Sequence, residues 1–233
     1  MPFYPKLTHA TGPKVDFFRK FVQCLTARRD ANWPQTATNP IKTMAQVYEF
    51  LATGFEEIEA LAPVDILRRG GVEVKTVSVT GSDFVESAHG VTIKADMRFE
   101  QGGDFADADM LLLPGGMPGA ANLKAHEGVC QALLRQHERG RRIGAICAAP
   151  MVLGAIGLLQ GRQATCYPGF EKFLTGADYT ARLWQEDGNI ITGEGPAATL
   201  PYAYRILSYF VGEDQMREIQ QGMMYVHLME SRG

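Results

Sequence analysis

From Met44 onward, short aliphatic runs and helix-length amphipathic segments take turns along the chain, and this alternation constrains the fold more than any other feature. Ala45–Ala52 is apolar and ends at Thr53-Gly54, which predicts a strand and its turn. Glu56–Arg69 follows as a helix, with Ile58, Leu61, Ala62 and Ile66 on one face. Pro63 falls early in it, where a missing amide is tolerated, and Gly70-Gly71 ends it. Val72–Val79 reads as a second strand, Val85–Ile93 as a short hairpin, and Met110–Leu113 as a wholly apolar strand running into Pro114-Gly115-Gly116. Gly128–Gly140 reads as a helix, Arg142–Ile146 as a buried strand and Ala148–Leu158 as a helix. Ala181–Trp184 and Asn189–Thr192 flank Glu186-Asp187-Gly188 as a hairpin, and Pro196–Val211 and Glu213–Met224 close the chain as helices. Strands and helices in this rhythm build β-α-β crossovers, hence an α/β fold with a mostly parallel sheet covered on both faces. Ligands in such folds bind at the carboxyl ends of the strands.

Charge divides the 233 residues unevenly. Residues 1–43 hold seven basic side chains against two acidic ones, whereas the whole chain carries −3. The break predicts an N-terminal extension over 1–43, disordered or a non-native upstream start with Met44 as initiator, and a folded unit over 44–233. Val15–Leu25 has the pattern of a short amphipathic helix. With 45% apolar residues the chain has enough material for a core, no apolar run approaches the length of a membrane span, and no concentrated basic surface speaks for nucleic acid. Four cysteines without a C-x-x-C pair build neither a disulfide framework nor a zinc site, so a reducing, cytoplasmic setting is expected.

Three strand ends carry candidate chemistry. In Gly144-Ala145-Ile146-Cys147-Ala148-Ala149-Pro150, Cys147 falls where a buried strand turns into a helix between small residues. That is the form of a nucleophile elbow, aiming the sulfur at helix N-terminal amides that favour a thiolate. A buried structural cysteine is the competing reading. The Leu113-Pro114-Gly115-Gly116 turn offers backbone amides for a developing oxyanion. Glu56, Glu57 and Glu59 open a helix, where carboxylates commonly serve as caps. Glu59, one turn in, is placed to face the elbow, and a neighbouring thiolate would raise its pKa. A histidine base is missing: after Cys147 the only one is His227, near the C-terminus, and residue 148 is Ala.

At these residues the chain resembles the DJ-1/PfpI (ThiJ) superfamily, in the branch of the parkinsonism-associated deglycase and its bacterial relatives. The likeness runs from about Met44 to Val226. Gly54-Phe55-Glu56-Glu57-Ile58-Glu59, Pro63-Val64-Asp65, Leu113-Pro114-Gly115-Gly116, Ala145-Ile146-Cys147-Ala148-Ala149-Pro150 and Gly193-Glu194-Gly195-Pro196 carry it. The resemblance implies a flavodoxin-like three-layer sandwich, a homodimer, and cofactor-independent glyoxalase or deglycase activity on methylglyoxal, glyoxal or their adducts. It matches Cys147 to the elbow nucleophile, Glu59 to the carboxylic acid that hydrogen-bonds it, and the amides of Gly116 and Ala148 to the oxyanion donors. Gly115 and Tyr167 fall at the substrate site, and Arg69 and His89 at positions that in relatives lie near the partner subunit's cysteine pocket. One departure is Thr165-Cys166-Tyr167-Pro168, where family members often carry a histidine in place of Tyr167. Without it, a second expectation is a redox sensor or chaperone whose oxidisable cysteine becomes a sulfinate; amide hydrolysis is the third. Cys166 and Cys130 are expected in the core, His126 and His137 in solvent, and Met216, Met223, Met224 and Met229 in packing rather than at a metal.

Overall fold

The computed structural model describes residues 44–231; the basic extension over 1–43, with the candidate helix at Val15–Leu25, lies outside the described residues. Strand β1 (Gln46–Leu51) is buried along all but its first residue. It leads through Gly54, in the left-handed region at φ 86, into helix α1 (Glu57–Arg69). Acidic residues in the first turn and Arg68 and Arg69 in the last complement the helix dipole. Strand β2 (Glu73–Ser78) follows, then an antiparallel hairpin of β3 (Phe84–Glu86) and β4 (Thr92–Lys94), and β5 (Met97–Arg98). Strand β6 (Met110–Leu113), helices α2 (Gly119–Ala125) and α3 (Glu127–Glu138), strand β7 (Arg142–Ile146) and helix α4 (Pro150–Ala155) come next. A small parallel pair, β8 (Gln163–Ala164) and β9 (Asp178–Tyr179), precedes β10 (Trp184–Asp187) and β11 (Ile190–Gly193). Helices α5 (Thr199–Leu207), α6 (Glu213–Gly222) and α7 (Tyr225–Glu230) end the described chain.

Seven strands form one sheet in the order β10-β11-β7-β6-β1-β2-β5, with every neighbouring pair parallel except β10 and β11. Alternation along β1 sends Tyr48 and Phe50 to one face and Leu51 to the other. Tyr48 and Phe50 stack against Phe105, and Phe50 also meets Phe99, whose ring touches His126 between α2 and α3. Leu51 clusters with Phe55 and Ala60 of α1, which itself packs on α5. The sheet is thus flanked by helices on both sides, the expected α/β sandwich. Each fully buried leucine or phenylalanine in it contributes roughly 1.5–3 kcal/mol.

Details differ from the sequence reading. The late hairpin turns at Gly188-Asn189, because Glu186 and Asp187 pair with Ile191 and Ile190 as strand residues. Helix α2, broken from α3 only at His126, is too short and alanine-rich to show an apolar face in the sequence. His126 is not simply solvated: its Nδ1 accepts the Val129 N–H at 3.1 Å and caps α3. The last long helix stops at Gly222, and Met224, at φ 59, redirects the chain into α7.

Candidate active site

The carboxyl ends of β1, β6, β7 and β11 converge on Cys147. Its backbone is held at φ 63, a left-handed conformation that costs a non-glycine residue about 1–2 kcal/mol. Two hydrogen bonds fix that bend: the Cys147 N–H donates to the Gly193 carbonyl at the end of β11, and the Cys147 carbonyl accepts the Tyr167 N–H, both at 2.9 Å. The residue is 8% exposed. Backbone N–H groups of Gly116 and Ala148 donate to its sulfur.

Glu59 approaches from the first turn of α1 and is fully buried. Its own N–H donates to Glu56 Oε2 at 2.8 Å, so Glu56 caps the helix and fixes the turn that presents Glu59. Glu59 Oε2 accepts the Gly115 N–H at 2.9 Å. Oε1 has no partner of ordinary hydrogen-bond geometry. The carboxyl as a whole and the Cys147 thiol are nonetheless close enough to shift each other's proton affinity. Gly115 sits between them: a Cβ there would lie 2.6 Å from Glu59 Oε2 and 2.7 Å from Cys147 Cβ. Only a residue without a side chain leaves the acid and the thiol in contact.

Burial raises Glu59 to about 7, with the Glu56 charge adding to the effect and the hydrogen bonds from Cys147 and Gly115 opposing it. Burial is therefore the main cause, where the sequence reading named a neighbouring thiolate. Burial, and then the Glu59 charge, also push the Cys147 thiol up, against the two amides that pull it down. This corrects the expectation of a thiol acidified by a helix N-terminus. Helix α4 is only six residues long, and what acts on the sulfur is its buried carboxyl neighbour and two specific N–H donors. The pair favours a single negative charge, and with the thiol pushed up and Glu59 at about 7 that charge rests on the carboxylate, which is placed to take the thiol proton.

Cys147, Glu59, Gly115, Gly116 and Ala148 thus meet in one place. Tyr167 joins through its backbone, with its side chain 47% exposed. Arg69 is at the other end of α1, about 15 Å along the helix from Glu59, and pairs with Asp65 at 2.9 Å. His89, in the turn between β3 and β4, bonds Glu57 Oε2 at 2.7 Å on the outer side of the α1 N-terminus. Neither meets the sulfur within one chain. Cys166 is buried, its thiol pushed up to about 12 by that burial. Glu56, Glu57 and His89 bring ligand atoms within 4.8 Å of one another. Each already has a partner inside the fold, in the Glu59 N–H, in Ser87 and His89, and in Glu57 respectively.

The sequence reading gave capping as the common role of Glu56, Glu57 and Glu59 without singling out Glu56 as the cap that aims Glu59, and it missed Gly193 as the carbonyl that holds the elbow. The position three residues before Glu59 was a usable signal for the first; no local signal marks the second.

The DJ-1/PfpI family model matches residues 45–209. The chain belongs to the DJ-1/PfpI family. It is 34% identical to the Parkinson disease protein 7 homolog of Danio rerio, over 73% of this chain and 92% of that protein. It is 35% identical to Protein DJ-1 homolog B of Arabidopsis thaliana over 72% of this chain, but spans only 39% of that longer protein, and 44% of its homolog A. A Pyrococcus abyssi protein named as a deglycase is 29% identical over 62% of this chain and 87% of its own length. Among solved structures, Drosophila melanogaster DJ-1beta is similar with a TM-score of 0.75 and 31% identity, covering 78% of this chain and 98% of that one. As a DJ-1/PfpI member the chain shares a seven-stranded, mostly parallel sheet flanked by helices with these structures. Among the described residues no helix is long and apolar enough to cross a membrane.

Proposed function

We propose that the protein is a cofactor-independent glyoxalase or protein deglycase, acting on methylglyoxal, a related α-oxoaldehyde, or the adducts these form on amines and thiols. The observation that carries this reading is a left-handed elbow cysteine whose sulfur receives two backbone N–H groups and lies against a buried glutamic acid titrating near 7. As carboxylate, Glu59 takes the Cys147 proton while the sulfur adds to the aldehyde carbon, then passes it to the former carbonyl oxygen. This forms a hemithioacetal and leaves Glu59 free as a base again. As the sulfur adds, charge moves onto the former carbonyl oxygen, two bonds from the atom that Gly116 and Ala148 hold in the free protein, and those donors follow it. Glu59 takes the proton from the aldehyde-derived carbon and returns it to the neighbouring carbon through an enediol, which leaves a 2-hydroxy thioester. Water cleaves the thioester, releases the hydroxy acid and restores the thiol. With an adduct as substrate, the carrier amine or thiol leaves and the same carbon skeleton follows the same path. A second subunit would bring Arg69 and His89 to the neighbouring pocket, and a reducing cytoplasm suits the free thiols.

Methylglyoxal consumption by the wild type and by Cys147→Ala and Glu59→Gln tests this reading. Loss in both variants, with the fold retained, supports it; undiminished activity in both refutes it.

The alternative is an oxidation sensor or chaperone. It is favoured by the partners of Cys147 and Glu59, which among the described residues include no imidazole. Two equivalents of peroxide would then convert Cys147 through a sulfenate to a sulfinate. Mass spectrometry after mild peroxide separates the two: selective, stable addition of two oxygens at Cys147 without aldehyde turnover favours the sensor.

A further inference from the structure

Beside the elbow lies a cleft of about 210 Å³ walled by Tyr167, Leu183, Glu194, Gly195 and Pro196. Two of its walls are backbone neighbours of Cys147. Tyr167 donates its N–H to the Cys147 carbonyl, and Glu194 directly follows Gly193, whose carbonyl accepts the Cys147 N–H. The cleft is thereby tied through the backbone to the residue that carries the sulfur. The Tyr167 ring lies along Gly195, where a Cβ would come within 3.1 Å of it, and the residue, 47% exposed, lines the cleft together with that glycine. Leu183, 56% exposed, is a second apolar wall with little covering it.

The one formal charge lining the cleft is the carboxylate of half-buried Glu194. Among the described residues it has neither an ion pair nor a side-chain hydrogen bond. The two nearest cations in sequence turn elsewhere, Arg205 to Glu186 at 3.0 Å and Arg182 to Gln185 at 3.4 Å. A carboxylate beside an aromatic ring and an aliphatic wall is complementary to a planar cation on an alkyl stem, which gains a charge-assisted hydrogen bond and ring contact together. Anions are repelled by the same carboxylate.

We infer that this cleft is a carrier subsite that takes a guanidinium or ammonium group, with Glu194 as its counter-ion and Tyr167 as its stacking face. Resting on the proposed reaction, this makes the substrate class an α-oxoaldehyde adduct whose carrier bears a positive charge next to the reacting carbon. Glu194 acts as a specificity residue and performs no step of the chemistry.

Binding is tested without turnover by NMR titration of the full chain with ethylguanidinium, ethylurea and propionate. Saturable shifts at the Gly195 and Ala197 amides are expected with the cation alone, with affinity about tenfold weaker in Glu194→Gln, equivalent to about 1.4 kcal/mol. Equal shifts with ethylurea, or cation binding that Glu194→Gln leaves unaltered, overturn the subsite. Turnover is tested with methylglyoxal hemithioacetals of N-acetylated Arg-Cys, Ser-Cys and Glu-Cys, in which the reacting bond is constant. The expected kcat/KM order is Arg over Ser over Glu, flattened in Glu194→Gln and reversed in Glu194→Arg. Cys147-dependent turnover with no such order also overturns the inference. Absence of any Cys147-dependent turnover instead sinks the proposed reaction, and the titration then decides the subsite alone.

Discussion

Two buried glutamates, Glu49 in the middle of β1 and Glu59 one turn into α1, have almost the same exposure and opposite surroundings. Glu59 has the Gly115 N–H on one oxygen and a thiol beside it, at the rim of the sheet where strands end. Glu49 lies between β2 and β6, level with Thr76 and Leu112, and its Oε2 has no partner at all. Burial pushes both carboxyls up, Glu59 to about 7 and Glu49 well above its ordinary range, with the Arg68 charge opposing the shift at Glu49. The contrast separates burial from chemistry. A raised pKa marks both residues, but only the one with a reactive neighbour and a fixed donor has anything to exchange its proton with.

The largest effect expected from this contrast is on turnover. Glu59→Gln should lower methylglyoxal consumption by roughly 10²- to 10⁴-fold, the range for a displaced general acid-base. Glu49→Gln should leave it within about twofold, and equal losses in a side-by-side rate assay would erase the distinction.

Next comes Gly115→Ala, which places a methyl group against both Glu59 and Cys147. A loss of activity of tenfold or more is expected, together with about 1–3 kcal/mol of stability in urea unfolding, as for other overpacked sites. Wild-type activity in this variant would show that the two groups need not touch.

Stability against pH sharpens the comparison further. A carboxyl whose folded pKa is raised binds more protons when folded, so its contribution is complete below the unfolded value near 4.5 and is lost as pH rises. For Glu59 the loss ends near its folded value of about 7; for Glu49 it continues beyond, at up to about 1.4 kcal/mol per pH unit. Glu49→Gln should therefore be more stable than the wild type above pH 7, with a flatter profile. A denaturation series that stays parallel to the wild type across pH 5–9 would contradict a buried neutral Glu49.

The smallest effect belongs to a third, outer carboxylate. Hydrogen bonds from Ser87 and His89 hold Glu57 down at about 2, against a burial effect of opposite sign, and Glu57 in turn raises His89. Glu57→Gln should lower the His89 titration midpoint measured by NMR, with little change in melting temperature, since exposed pairs contribute about 0–1 kcal/mol.

Glu49 also shows why parts of the molecule were unreadable in the sequence. Val47–Leu51 scans as an apolar strand, and a single carboxylate inside it does not change the period, so nothing local announced a charged group in the core. The elbow and the alternating elements were legible because each rests on contacts within a few residues: small neighbours around Cys147, glycines after α1, an unbroken aliphatic β6. The site's second layer rests on long-range geometry. Gly115 as spacer, the Gly193 carbonyl as anchor and the Glu194 cleft exist only once β6, β7 and β11 lie side by side. The same holds for the β10–β11 register, where Glu186 and Asp187 look like turn residues until Arg142 and Arg205 meet Glu186 and Arg162 meets Asp187.

The bend at residue 147 carries one more implication. Its φ of 63 suits glycine better than any side chain, and the two backbone hydrogen bonds that hold it ask nothing of the sulfur. On conformational grounds alone, Cys147→Gly would relax the loop and leave the scaffold content. The fold therefore supplies no reason for a thiol at that spot, and the polypeptide tolerates a locally uncomfortable backbone for the sake of what the side chain does.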